Sequence, residues 1–209
     1  MSTFDKSTFI RMLKQAQTNI DQEHEALSKL DAQTGDGDHG ITIQRTMKAV
    51  GLALDDGADK PLGELLKAVA MKVMMCDGGS TSPLLGSYFL GLAAGAVADE
   101  LSAEQTAALF KAGLDGFFKT SKAELGDKTM MDALRPATEA LVQTLNDGGD
   151  IAAAFAAAAS AAADGAEKAK DYVAKFGRAR TMGERAIGHY DPGAMSISHI
   201  FRGFAEAIN

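Results

Sequence analysis

The chain has 209 residues, 46 % of them hydrophobic and 23 % charged, with a formal net charge of −7 at pH 7. That length supports a substantial core in one domain, residues 1–209, and an acidic balance with no basic run argues against a groove for nucleic acid. Cys76 is the lone cysteine, Asp5, Lys6 and Arg11 come early, and no long apolar run occurs, so we expect a cytoplasmic protein without internal disulfide, signal peptide or membrane span.

Alanine is abundant, tryptophan is absent, and β-branched residues rarely alternate with polar ones, a pattern of helices. About eight can be read. The first runs from near Asp5 to about Leu30, with Phe9, Met12, Leu13, Ile20 and Leu27 on its inner side. The second spans His39 to Leu54 and ends at Asp55-Asp56-Gly57; Pro61 opens the third, which runs to about Met75. After a loop over Cys76 to Ser82, Ser82 is expected to cap the fourth, with Pro83 at its first position. Ser102-Ala103-Glu104-Gln105 is a capping box for the fifth, which ends near Ser121. Gly126-Asp127 leads into the sixth, Lys128 to Leu145, with Asp127 as its expected cap. Asp150 caps the seventh, Ile151 to about Phe176, which begins as an alanine run. A long loop, Gly177 to Tyr190, precedes Asp191-Pro192-Gly193, which opens the eighth.

The stretch that stands out lies between the first two helices: Asp31-Ala32-Gln33-Thr34-Gly35-Asp36-Gly37-Asp38-His39-Gly40. Three carboxylates this close repel in water, and a hard divalent cation such as Mg2+ or Ca2+ would relieve them. Two familiar patterns fail here. An EF-hand counted from Asp36 would need a bidentate Glu where Met47 stands. Gly35-x-Gly37-x-x-Gly40 spells a dinucleotide fingerprint, but a helix precedes it where a strand is required. There is no Walker A sequence.

In an up-and-down helical arrangement, the loops before helices two, four, six and eight fall at one end. These four carry the unusual chemistry: Asp36 to Gly40, Gly78 to Ser82, Gly126 to Met130, and Gly188 to Gly193. Four helix N-termini would converge on one rim, an arrangement suited to phosphate groups bridged by a metal on Asp31, Asp36 and Asp38. Taken singly, Ser82, Asp127 and Asp191 would read as helix caps. Arg178, Arg180 and Arg185 lie in the longest of these loops; an arginine reaching a phosphate would stabilise charge during transfer, whereas Arg180 reads as a surface residue. His39 reads as packing or donating to a phosphate, His24 and His199 as structural or solvent-facing, and Asp21, Glu23 and Glu25 as a solvated helix face.

Gly35-Asp36-Gly37-Asp38-His39-Gly40, Gly78-Gly79 with Ser82-Pro83-Leu84, Gly126-Asp127-Lys128-Thr129-Met130, and Gly183-Glu184-Arg185 with Asp191-Pro192-Gly193-Ala194 together resemble the nucleotide-binding L subunit of bacterial dihydroxyacetone kinases, over nearly the whole chain. The resemblance implies an all-α barrel of about eight antiparallel helices with the nucleotide, ADP or ATP, and two Mg2+ at one end. It implies metal binding by Asp31, Asp36 and Asp38. It implies nucleotide contacts from His39, Gly40, Ile41, Thr42, Ser80, Thr81, Ser121, Met130, Arg178, Asp191, Pro192 and Gly193, with Arg178 also acting in catalysis. In that family a separate K subunit holds the ketone covalently through a histidine of its own. The phosphoryl donor is either ATP directly or a phosphotransferase-system protein that recharges bound ADP. One departure concerns the usual Gly-Gly-Ala/Ser-Ser-Gly-Pro run, which here reads Gly78-Gly79-Ser80-Thr81-Ser82-Pro83, with Asp77 adding a negative charge before it. A rival reading is a non-catalytic nucleotide-bound subunit that docks on a transcription regulator. The nucleotide domain of a fatty acid kinase fits less well, because it normally belongs to a longer chain.

Overall fold

The computed structural model describes residues 3–208. Eight α-helices carry the architecture: α1 (Lys6–Asp31), α2 (His39–Asp56), α3 (Leu62–Met74), α4 (Thr81–Gly95), α5 (Ala103–Ser121), α6 (Met131–Asn146), α7 (Ile151–Lys168) and α8 (Pro192–Glu206). Each packs on its successor, and α8 returns onto α1, so the ring closes. The expected all-α, up-and-down barrel is what the chain forms.

Helical periodicity fills the barrel. On α1 the buried set holds the inner face read from sequence, Phe9, Met12, Leu13, Ile20 and Leu27, together with Ala16 and Asn19. The aromatic residues concentrate in one layer. Phe4, Phe9, Phe110, Phe155 and Phe204 are all buried, with ring centroids from 5.2 Å (Phe110–Phe155) to 6.5 Å (Phe110–Phe204). These are mostly edge-to-face or tilted contacts, the arrangement that ring quadrupoles favour.

A short antiparallel strand pair, β1 (Phe4–Asp5) with β2 (Glu100–Leu101), ties the start of the chain to the connection between α4 and α5. Lys6 adds to it, donating to the carbonyls of Ala58 at 3.2 Å and Lys60 at 2.9 Å. Asp99 accepts from the Leu62 amide at 2.6 Å and so stands in for the missing cap of α3. Two-residue strands carry no readable period, so sequence analysis missed them.

The capping box at Ser102 and Gln105 forms as read, and Asp150 and Asp191 accept from the amides of Ala153 and Ala194, each at 2.7 Å. Three boundary expectations are corrected. Ser82 does not cap α4: the helix starts at Thr81, and the buried Ser82 hydroxyl lies 3.0 Å from Cys76 Sγ and 3.3 Å from Thr46 Oγ1. Asp127 does not cap α6, which starts at Met131 rather than Lys128; its carboxylate accepts from Glu124 N at 2.8 Å instead. Finally, α7 stops at Lys168 and passes through a 3-10 turn, Ala169–Asp171, instead of reaching Phe176. There the Ala169 carbonyl accepts from the Tyr172 amide at 3.3 Å and also from the Lys128 ammonium at 2.7 Å, and the Lys170 carbonyl accepts from the Gly188 amide at 2.9 Å.

Candidate functional site

One cavity of about 650 Å³ opens at a single end of the barrel. Its lining takes residues from each of the four glycine-bearing connections: Asp36 and Asp38, Gly79 and Ser80, Thr129 and Met130, Asp191 and Gly193. The parity argument therefore holds in three dimensions, and the size suits a small-molecule ligand.

The carboxylates of Asp31, Asp36 and Asp38 each offer an oxygen within 4.8 Å of the others. Asp31 is the last residue of α1, Asp38 precedes α2, and Asp36 lies on the turn between them. Gly37 has φ +79°, a left-handed conformation that lets the chain reverse between the two loop carboxylates. The amide of His39 donates to Asp31 Oδ2 at 3.2 Å and fixes that side chain against the loop. Burial, then repulsion from Asp36 and Asp31, pushes the Asp38 carboxyl above its ordinary value, while Arg178 opposes the shift. Clustered hard oxygen donors fit Mg2+ or Ca2+ and would not suit a soft metal.

Burial drives the pKa of His39 down to about 4, although Asp31 pulls the other way. The ring is neutral at physiological pH, and Nε2 lies 3.2 Å from Ser196 Oγ. It therefore contributes packing and a hydrogen bond, not a positive charge.

Arg178 comes from the connection between α7 and α8, residues 172–190, a strap that includes 3-10 turns over Arg178–Ala186. Its Nη2 pairs with Asp36 Oδ2. Of the other two arginines, Arg185 donates to the Met182 carbonyl at 3.4 Å within the strap. His189, also on the strap, meets Gln33 Oε1 at 3.0 Å through Nδ1.

Of the twelve positions expected to meet a nucleotide, His39, Thr42, Ser80, Thr81, Ser121, Met130, Arg178, Asp191, Pro192 and Gly193 line this cavity. Gly40 and Ile41 lie outside the lining: Gly40 is buried against α1, and Ile41 is 51 % exposed. Lining residues that sequence analysis did not single out include Phe117, Thr120 and Phe176. Phe117 stands four residues before Ser121 and Thr120 three after Phe117 at the end of α5, so helical spacing from Ser121 could have found Phe117 and, from it, Thr120. The lining thus divides by chemistry, with carboxylates and hydroxyls in one group and Leu84, Phe117, Met130 and Phe176 in an apolar one. Phosphates and a flat aromatic base call for these two kinds of wall. Glu23, expected on a solvated face, is partly exposed and also pairs with Arg202 of α8 at 3.3 Å.

The connection from α5 to α6 is held by Asp132, which sequence analysis passed over. Its Oδ1 accepts from Gly126 N at 2.6 Å and its Oδ2 from Thr129 N at 2.7 Å. Lys122 and Lys128 both sit at left-handed φ, +55° and +58°, unusual for side-chain-bearing residues and a mark of a locally constrained segment. Among the described residues no helix is long and apolar enough to cross a membrane.

Comparison with known proteins agrees with this architecture. Residues 33–206 match the family model of the DAK2 domain. The ADP-binding subunit DhaL of the PEP-dependent dihydroxyacetone kinase of Escherichia coli is 38 % identical over 186 residues, 88 % of this chain and 89 % of that one. The corresponding subunit of dihydroxyacetone kinase 1 of Listeria innocua is 33 % identical over 204 residues, 98 % of each chain. In fold, the chain matches the crystal structure of the C. freundii dihydroxyacetone kinase in complex with AMP-PNP and Mg2+, with a TM-score of 0.74 at 24 % identity; 99 % of this chain aligns with 35 % of that longer one. The chain accordingly belongs to the DAK2-domain family, within its DhaL-type subunits of dihydroxyacetone kinases, and its class is that of a kinase.

Proposed function

We propose that this chain holds a nucleotide together with Mg2+ at the barrel mouth and passes the γ-phosphoryl group of its ATP form, leaving ADP, to a hydroxyl of a short ketose, dihydroxyacetone or similar, carried by a separate K-type subunit. The observation that carries this reading is the trio Asp31, Asp36 and Asp38, drawn within 4.8 Å at a cavity that also receives the starts of α2, α4 and α8. Asp31, Asp36 and Asp38 would hold the metal, and two ions fit the charge of three carboxylates facing a polyphosphate. Bound there, Mg2+ supplies neutralisation of the phosphate charge. The amides at the helix starts orient the phosphates, and the Arg178 guanidinium meets the charge that develops as the phosphoryl group leaves. Leu84, Phe117, Met130 and Phe176 give the base an apolar wall that excludes water. Pro192 and Gly193, at the start of α8, shape the wall beside His39.

The relatives in Escherichia coli and Listeria innocua are named as PEP-dependent and ADP-binding, which favours a resident ADP recharged by a phosphotransferase-system protein over exchange of ATP for ADP. The test mixes the purified chain, loaded with ATP, with its K-type partner and dihydroxyacetone. One phosphoryl transfer per chain is expected, and sustained turnover returns only with PEP and the phosphotransferase components. Many turnovers on ATP alone would overturn the resident-ADP form of the proposal, and no transfer under either condition would overturn the kinase role.

A further inference from the structure

Lys128 is a buried lysine, 2 % exposed, at the edge of the cavity. In a kinase-like site such a lysine invites assignment to a phosphate, but the geometry gives it another task. Its ammonium donates to three carbonyls: Ala169 at 2.7 Å, Lys170 at 3.1 Å and His189 at 2.6 Å. Three N–H bonds use every donor that a lysine has. Ala169 and Lys170 stand where the strap leaves α7, and His189 stands where it arrives at α8. The same feet are joined directly, Gly188 N donating to the Lys170 carbonyl at 2.9 Å. Next in sequence, Asp127 holds the strap further along. Its carbonyl accepts from Lys175 N at 3.1 Å, and its carboxylate forms an ion contact of 2.6 Å with the Lys175 ammonium.

A cation suits this junction. The carbonyls following α7 lie at the negative end of that helix, where a cation is favoured. Burial lowers the pKa of Lys128, and the carboxylates of Asp191, Asp171 and Asp132 oppose that shift. Left-handed φ at Lys128, otherwise disfavoured, is accepted in a segment that turns this side chain to the strap's feet.

We propose that Lys128 is a positioning residue: by clamping both feet of the strap it fixes where Arg178 stands at the cavity mouth. This rests on the kinase reading above, because Arg178 is the group whose position counts.

The experiment compares wild type, Lys128→Met, Arg178→Ala and the double variant, each with the K-type partner, dihydroxyacetone and the PEP-driven donor system. Binding of ADP with Mg2+ is measured separately by calorimetry. Lys128→Met is expected to lower kcat about tenfold or more, while ADP affinity stays within about threefold; in the Arg178→Ala background the same change should cost less than twofold. Additive losses would overturn the proposal in favour of a general structural role, and a large loss of ADP affinity with kcat intact would make Lys128 a direct ligand-binding residue. If Lys128→Met does not fold, Lys175→Met decides. Its side chain is largely exposed, and it should show a smaller kcat loss, about two- to fivefold, again absorbed in the Arg178→Ala background. Full activity in Lys175→Met, with Arg178→Ala impaired, would sink the clamp alone. An inactive wild type, or a fully active Arg178→Ala, would sink the kinase reading with it.

Discussion

Arg178 and Asp36 pair across the mouth of the barrel, guanidinium Nη2 against carboxylate Oδ2, although 142 positions of chain separate them (178 − 36). One is a member of the acidic trio, and the other is the cation that the strap brings to it. The pairing places the positive group that phosphoryl transfer would need within reach of the groups that would hold its metal.

Arg178→Ala should therefore reduce transfer by ~10²–10³-fold, the loss typical for removing one preorganised donor to developing charge. The thermal midpoint should hardly change, because the side chain is largely exposed. Steady-state kinetics and a melting curve on the same preparation check both halves.

Asp36→Ala should weaken ADP binding in Mg2+ buffer by at least about tenfold and abolish transfer. In chelator the variant should melt no lower than wild type, since it removes one of three mutually repelling carboxylates. Calorimetry with and without Mg2+, paired with scanning fluorimetry, makes the test. Wild-type affinity in the variant would refute the metal assignment.

Asp191 gives a pH prediction. Burial raises its carboxyl to about 7, from an ordinary value of 3.8, despite the Ala194 amide that it caps. The folded chain therefore keeps a proton that the unfolded chain loses above 3.8, so this group's contribution to stability falls as pH rises from about 4 to about 7. Asn caps as well as Asp and never ionises. Asp191→Asn should thus melt higher than wild type at pH 8, with the gap closing by pH 4, as read from denaturation curves across that range.

Gly40→Ala tests the entry of α2. A Cβ there would run into the backbone carbonyl of His24 and crowd Ser28 Oγ on α1. Overpacking of this kind costs about 1–3 kcal/mol. A lowered thermal midpoint is expected, together with weaker ADP binding, because α1 ends in Asp31 and Asp38 immediately precedes α2.

The helices and the acidic mouth were legible because their signals are local and repeated. Phe9, Met12, Leu13, Ile20 and Leu27 recur at helical spacing, and Asp31, Asp36 and Asp38 are close in sequence as well as in space. What escaped depends on distant partners. Ser82 reads as a cap until Thr46 and Cys76 come within hydrogen-bond reach of its hydroxyl. The alanine run predicts a helix onward to Phe176, since nothing within it announces that the Lys128 ammonium, 41 residues earlier in the chain, meets the carbonyls at its end. Asp132 carries no motif, and its two amide partners become visible only once the turn has closed. Phe176 enters the cavity from a strap whose path no periodicity describes.

The packed phenylalanine layer and the laced strand pair lie at the foot of the barrel, while the cavity lies at its head. Along α5, Phe110 of that layer and the cavity-lining Ser121 stand about three turns, roughly 16 Å, apart. Evolution can therefore treat the two ends as separate modules. Exposed loop positions at the head are free to drift toward new sugars or new docking partners, whereas buried ones there, Gly40 among them, still bear on heat tolerance.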